Sequence, residues 1–237
     1  MREQIYEIPI NDAFAVDCEC PICTLYKTLE DDAVEYTMGP SYMEDDTRAK
    51  TDAAGFCEKH IHMIYHQDNR LGMAWVMKTH FDKIIRDVEK LTPRDPSKLL
   101  KKELASSKLV NYLDTLNDNC FICNRINDFF GRYIDTVFTL YKTSDEFRDR
   151  FRACKGFCNP HYALLLKLSP KYLRGSELED FVSLINRMYI ENMERVRDDL
   201  AWFINKFDYK YQDEPWKNAK DAIPRSVIKT NATFIST

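Results

Sequence analysis

The chain has 237 residues, of which 44% are hydrophobic and 13% aromatic, so it can bury a core and is not a disordered chain. Its 34 basic and 38 acidic residues are well mixed and leave a net charge of -4, which argues against a dedicated nucleic-acid or membrane-surface protein. Six glycines are too few for a turn-rich all-β protein, so helices are favoured.

The N-terminal segment carries acidic residues and no continuous apolar stretch of the kind that signal peptides contain. No later segment approaches the roughly 18 apolar residues that are needed to span a bilayer. We therefore expect a cytoplasmic protein. Because disulfides are rare in that reducing compartment, we interpret the eight cysteines first as metal ligands.

Helical segments and cysteine motifs alternate in the first half of the chain. The pair in CPIC, Cys20 and Cys23, precedes a predicted helix over residues 24–36. The charged segment EDDTRAKTDAA then ends at glycine, in the motif GFCEKH that contains Cys57 and His60. A longer helix is predicted over residues 69–91, where large apolar side chains recur at helical spacing. These side chains are Leu71, Trp75, Phe81, Ile85 and Val88.

The second half repeats the motifs of the first half in the same order. Cys120 and Cys123 precede a predicted helix over residues 124–140, and a second charged segment ends at glycine in GFCNPH, which contains Cys158 and His161. The spacing between the two cysteine motifs is 33 residues in the first copy and 34 in the second. Duplication of one helical module explains this pattern.

A linker with two prolines and several lysines separates the two copies and leads into a predicted helix near residues 95–113. A long helix is predicted over residues 177–207, followed by an irregular tail with a short helix that Pro224 would break or restart. We therefore predict an all-α protein of two tandem related modules, each held by one metal site, packed into one pseudo-symmetric helical assembly. The predicted domains are residues 1–95, residues 96–207 and a tail, 208–237, that packs on the bundle.

Each copy supplies three cysteines and one histidine, which is a standard ligand set for zinc. Cysteines separated by two residues can direct both sulfurs to one point at a turn that enters a helix, and a second motif closes the tetrahedron. Four ligands leave no open position for water or substrate, so we expect two structural Zn²⁺ ions per chain. The predicted sets, one for each copy, are Cys20, Cys23, Cys57 and His60, and Cys120, Cys123, Cys158 and His161.

Zinc is favoured over an iron-sulfur cluster, because clusters are more often held by cysteine alone and two separated pairs suit a mononuclear ion. An iron-sulfur cluster is the alternative cofactor. Cys18 and Cys154 lie outside the predicted sets, and we interpret them as spare thiols. His62 and His66 have the i, i+4 spacing of a chelating pair, but no third ligand is near them, so we interpret them as partly exposed side chains.

The sequence contains no glycine-rich phosphate loop, no GxSxG elbow and no HExxH motif. The basic run that includes Arg148, Arg150 and Arg152 is interpreted as a solvated helix face, with Phe147 and Phe151 directed inward. We therefore favour a non-enzymatic adaptor or regulatory protein whose partner is another protein, not a membrane or a nucleic acid. The alternatives are an iron-sulfur or thiol redox protein of anaerobic bacterial metabolism, and an enzyme with a pocket between the two modules.

The duplicated CPIC and GFCxxH motifs, together with the ending DEPWKNAKDAIPRSVIK, resemble a family of bacterial proteins that is common in Firmicutes and known only as a domain of unknown function. The resemblance spans nearly the full length of the chain. This sequence departs from the family pattern in the second CxxC motif, where Phe121 replaces the usual proline and leaves the ligands intact. The resemblance implies the fold and the metal sites, and nothing about a substrate.

Overall fold

The computed structural model describes residues 4–93 and 104–235, and every regular element in these ranges is helical. Short 3₁₀ turns cover Pro40–Met43 and Tyr209–Tyr211. The all-α prediction is confirmed. The α-helices are α1 (Gln4–Ala15), α2 (Pro21–Met38), α3 (Asp45–Ala54), α4 (Glu58–Tyr65), α5 (Arg70–Leu91), α6 (Lys108–Asn117), α7 (Phe121–Thr143), α8 (Asp145–Ala153), α9 (Asn159–Tyr172), α10 (Gly175–Asn205) and α11 (Ala222–Asn231).

The chain divides into two compact units, which do not follow the sequence repeat. Unit 1 comprises Met1–Lys27 and Gly131–Thr237, and unit 2 comprises Thr28–Phe130. The division falls inside α2 and inside α7, so each unit contains residues of both repeats. The predicted module boundary at residues 95–96 lies outside the described residues, as do residues 95–103 of the helix predicted near 95–113.

In unit 2, α5 packs against α3, α4, α6 and the 3₁₀ turn Pro40–Met43. The helix begins at Asn69, whose side-chain oxygen accepts a hydrogen bond from the backbone N–H of Gly72. Its buried face is formed by Gly72, Val76 and His80, and the His80 Nδ1 atom lies 2.8 Å from the carbonyl oxygen of Asp52. The predicted helix is therefore present, with Gly72, Val76 and His80 four residues apart along its packed side.

The apolar stripe predicted for α5 is not the face that packs on unit 2. Leu71, Trp75, Phe81 and Ile85 are all exposed, and Val88, the fifth residue of the stripe, is half-buried. The helix carries apolar side chains on two sides, and their spacing gives the helical period without showing which side a neighbour covers. The buried side carries His80, which forms its polar contact there, and the four larger apolar side chains face outward.

In unit 1, the long helix α10 buries five apolar side chains. They are Phe181, Leu184, Ile185, Met188 and Val196. Phe151 is fully buried among other aromatic rings, including Phe14, Phe157 and Phe181, with ring centroids 5.2–5.8 Å apart. This aromatic cluster lies along α1, α8 and α10 and includes Phe157, which precedes the ligand-type residue Cys158.

The tail of unit 1 folds back onto the end of α10. Trp202 donates a hydrogen bond from Nε1 to the carbonyl oxygen of Pro215, and the ring of Trp216 packs on Phe203. The last helix, α11, contains Pro224 in its first turn, where a backbone N–H would have no acceptor within the helix. Pro224 therefore lies at the beginning of a helix and does not break one.

Candidate metal sites

The structure brings the eight predicted metal ligands into two groups, and in each group the potential ligand atoms lie within 4.8 Å of one another. We call the groups site A and site B. Site A consists of Cys20, Cys23, Cys158 and His161, and site B consists of Cys57, His60, Cys120 and Cys123. The prediction of one set per repeat is wrong, because each site combines the CxxC motif of one repeat with the CxxH motif of the other. Site A lies within unit 1 and site B within unit 2.

The two motifs of one repeat are separated by helices of unequal length. In the first repeat, α2 has 18 residues and is about 27 Å long, whereas the following α3 has 10 residues and is about 15 Å long. In the second repeat, α7 has 23 residues and is about 35 Å long, whereas α8 has nine residues and is about 14 Å long. In each repeat the charged helix is therefore shorter than the helix before it, and the CxxC motif belongs to a different unit from the CxxH motif of the same repeat.

The backbone before each CxxH motif requires glycine. Cys57 and Cys158 are the N-cap residues of α4 and α9, and the glycines two positions earlier have φ angles of 61° and 73°. A side chain at Gly55 would also meet the ring of His80, with its Cβ 3.0 Å from Nε2. The positive φ reverses the chain and delivers the cysteine to a helix N-terminus, where unpaired N–H groups favour a thiolate.

The ligand atoms of site A have the spacing of a single tetrahedral ion. The Nδ1 atom of His161 lies 3.2 Å from the Sγ of Cys158, 3.3 Å from that of Cys23 and 3.5 Å from that of Cys20. The Sγ atoms of Cys23 and Cys158 are 3.4 Å apart. Zinc–ligand bonds of ordinary length place neighbouring sulfur atoms about 3.8 Å apart and nitrogen and sulfur about 3.6 Å apart. Site A is within a few tenths of an ångström of these values.

Site B has the same geometry. The Nδ1 atom of His60 lies 3.2 Å from the Sγ of Cys57 and 3.3 Å from the Sγ atoms of both Cys120 and Cys123. The Sγ atoms of Cys57 and Cys123 are 3.9 Å apart. The backbone N–H of Phe121 also donates a hydrogen bond of 2.9 Å to the carbonyl oxygen of Gly55. This bond joins the CxxC turn of the second repeat directly to the CxxH loop of the first.

The thiols of site B have unequal proton affinities. Burial raises the pKa of Cys120, but the hydrogen bond with His60 and backbone N–H groups outweigh it and lower the value to about 6. Burial lowers the pKa of His60, but contacts with Cys120 and Glu30 outweigh it and raise the value to about 10. Burial and the charge of Cys120 raise the pKa of Cys123 to about 12. Without a metal, site B therefore holds a thiolate beside a protonated imidazole, and a bound cation would displace protons from it.

Site A shows a similar division between its thiols. Hydrogen bonds from Cys20 and Cys23 lower the pKa of the Cys158 thiol to about 4. The hydrogen bond to Cys158, followed by that to Cys20, raises the pKa of Cys23. One sulfur of the site is thus a thiolate at neutral pH, as a metal ligand must be.

A buried glutamate supports the histidine of site B. The Nε2 atom of His60 lies 3.2 Å from Oε1 of Glu30, and Lys59 donates a hydrogen bond to the same oxygen. Burial raises the pKa of Glu30, but the hydrogen bonds from His60 and Lys59 outweigh this and lower it. A carboxylate in this position fixes the imidazole ring, directs Nδ1 toward the metal position and raises its basicity.

A buried lysine stands behind site A. The Nζ atom of Lys229, on α11, donates hydrogen bonds to the carbonyl oxygens of Glu19 and Lys155, and these residues precede the two ligand motifs of the site. Burial lowers the pKa of Lys229, and the charge of Glu19 opposes that effect. Arg195 pairs with the Glu19 carboxylate. The last helix of the chain thereby holds the two ligand-bearing segments of site A together.

The remaining sequence candidates lie outside these sites. Cys18 and Cys154 are half-buried thiols that line one surface cleft of about 350 Å³, and burial raises the pKa of both, that of Cys154 to about 12. His62 and His66 are exposed and belong to neither of the groups found among the described residues. The basic run of α8 forms ion pairs with acidic neighbours on the same helix, and its phenylalanines are buried.

The sequence did not indicate the supporting residues Glu30, Lys229 and His80. A glutamate or lysine on an amphipathic helix gives no signal by itself in a single sequence, because most such residues are solvated. The glycine that precedes each CxxH motif offered a weak signal for His80, since an obligatory glycine indicates a closely packed neighbour.

Within the described ranges, the helices are each too short or too polar to cross a membrane. No curated protein and no solved structure shows a significant match to the chain. One family model matches residues 1–237, and its description is a family of unknown function, DUF6062.

Proposed function

The chain belongs to this family of unknown function, and from its two sites we propose that it is a structural zinc protein, with one Zn²⁺ in site A and one in site B. We further propose that it acts as a non-enzymatic adaptor or regulator through contacts with another protein. The observation that carries the proposal is the convergence of three sulfurs and one imidazole nitrogen on one point in each unit.

The size and composition of the groups support zinc. Four ligand atoms within 4.8 Å surround the position of a single ion, and an iron-sulfur cluster would need further space for additional irons and bridging sulfides. Among the common divalent metals, zinc is the one that a tetrahedral set of thiolate and imidazole ligands suits best. The Glu30 carboxylate behind His60 is the supporting contact that zinc-bound histidines commonly have.

The completeness of each ligand set supports a structural role. With four protein ligands, a tetrahedral ion has no position left for water or substrate. Each ion would instead join distant parts of the chain, because Cys23 and Cys158 are 135 positions apart and Cys57 and Cys123 are 66 apart. A cross-link over such distances restricts the unfolded chain and stabilises the fold. We therefore assign the biological activity to the surface of the protein.

The proposal is tested by metal analysis of the full chain, purified anaerobically without added metal. We expect colourless protein with two equivalents of zinc, and one equivalent in each of the variants Cys23→Ser and Cys123→Ser. Cys154→Ser is the matched control, because it removes a half-buried thiol outside both sites and should retain both ions. Iron with inorganic sulfide and visible absorbance would contradict zinc, and unchanged metal content in the two site variants would contradict the ligand assignment.

The adaptor role needs a separate experiment. The tagged chain, expressed in its own host and cross-linked before lysis, should recover one partner protein in stoichiometric amount. Turnover of a small molecule by the zinc-loaded protein, with no such partner recovered, would contradict a non-enzymatic role.

A further inference from the structure

Helix α5 exposes a row of large apolar side chains. Leu71 is 65% exposed, Trp75 46%, Phe81 56% and Ile85 54%. At 100° per residue, these four positions fall within about one third of the helix circumference, on the side opposite to Val76 and His80. We call this surface, with the two charged residues described next, the α5 outer face. An aligned row of this size on one helix is typical of an interaction site, in contrast to single scattered apolar residues.

An ion pair lies in the middle of the α5 outer face. Lys78 and Asp82 are one turn apart, with Nζ 2.7 Å from Oδ2, and their side chains are 66% and 46% exposed. Leu71 and Trp75 precede this pair along the helix, and Ile85 follows it. The order along the face is therefore apolar, cation, anion and apolar, with Phe81 beside the pair.

This order is self-complementary. If a second α5 helix lies antiparallel across the face, with a twofold axis at the level of residue 80, Lys78 faces Asp82 of the partner subunit and Asp82 faces the partner's Lys78. The same operation places Trp75 opposite the partner's Ile85, and the Phe81 side chains lie on both sides of the axis. A twofold interface requires this reciprocity, in which residue i contacts residue j and residue j contacts residue i.

We infer that the α5 outer face is a homodimer interface, in which two copies of this chain pack their α5 helices antiparallel. The charge pattern selects a second copy as the occupant, because one cation and one anion at equal distances from a twofold axis satisfy each other in two identical chains. The four apolar side chains supply the contact area, and the aromatic pair Trp75 and Phe81 forms its centre. This inference goes beyond the zinc proposal and does not depend on which metal the sites hold.

The first test is the mass of the full-length, metal-loaded protein in solution, measured by analytical ultracentrifugation over a range of concentrations. We expect the wild-type chain to dimerise reversibly and Trp75→Glu to be monomeric, with helical circular dichroism and metal content unchanged. Ile190→Glu is the matched control, because Ile190 is 57% exposed on a different helix, and this variant should dimerise like the wild type. A wild-type chain that stays monomeric, or dimerisation that Trp75→Glu does not weaken, would overturn the inference.

The second test uses charge reversal and distinguishes this interface from general stickiness. Lys78→Glu and Asp82→Lys should each weaken self-association at least about tenfold, because each homodimer then places like charges opposite each other twice. An equimolar mixture of the two variants should form a heterodimer, since every facing pair in it is again of opposite sign. Both variants lose the same ion pair within the helix, so a local effect on folding cannot produce this recovery. Failure of the mixture to associate more strongly than either variant alone would sink the antiparallel arrangement.

Discussion

The exchange of motifs between the repeats makes a prediction that two double variants can test. Cys23 and Cys158 belong to the same site but to different repeats, whereas Cys23 and Cys57 belong to the same repeat but to different sites. We expect Cys23→Ser/Cys158→Ser to retain one equivalent of zinc, held in site B. Cys23→Ser/Cys57→Ser should retain none, because each substitution opens a different site.

The same variants should differ in stability by an amount that the structure sets. Treated as cross-links, the two sites close loops of 135 and 66 residues, which corresponds to about 5 and about 4 kcal/mol of chain entropy. The first substitution at a site removes its ion and most of this stabilisation, so a second substitution at that site should add little. The same-repeat double variant should lose the contributions of both sites, about 9 kcal/mol together, which is comparable with the whole stability of a domain.

The assay combines zinc per chain by mass spectrometry with urea unfolding followed by circular dichroism. The same-site double variant should unfold at nearly the urea concentration of Cys23→Ser alone, and the same-repeat double variant should be largely unfolded without urea. Zinc retention in the same-repeat variant, together with its loss from the same-site variant, would refute the exchanged pairing and restore one site per repeat.

Three further outcomes follow from the groups around the sites. Glu30→Gln should weaken zinc retention at site B by about 10- to 100-fold in a chelator competition, and leave site A unchanged, because the imidazole loses its charged support. Lys229→Met should destabilise unit 1 by about 2 to 5 kcal/mol in urea unfolding, since it leaves two backbone carbonyls without their donor and removes one of the cations around the buried Glu19 carboxylate, which keeps Arg195. The affinity of site B for zinc should fall as the pH is lowered through the neutral range, because protons compete for Cys123 and His60, whose pKa values without a metal are about 12 and about 10. A zinc indicator should record this loss of affinity, and an affinity that does not change with pH would contradict the prediction.

The sequence was sufficient for the class of fold and for the identity of the eight clustered residues. Helical spacing and scarce glycine predicted the all-α architecture, and the duplicated motifs predicted the eight residues that form the two groups. The partner of each motif did not follow, because equal spacing in two repeats is compatible with pairing within a repeat or between repeats.

Other features could not be predicted because they depend on which side of a helix meets a neighbour. The spacing of Leu71, Trp75, Phe81 and Ile85 was correct for a helix, but only tertiary packing shows that a different face, with Val76, is covered. When a helix carries apolar residues on two sides, periodicity alone does not show which side is buried. That ambiguity is itself informative, because a second apolar side that stays exposed indicates a further contact.

Exchange of motifs changes what each repeat can do alone. Each repeat carries one CxxC and one CxxH motif that belong to different sites, so a repeat contains two half-sites and no complete site. The complement of each half-site is the other kind of motif in a second repeat. The repeats therefore depend on each other for both sites, because loss of either repeat would open each of them.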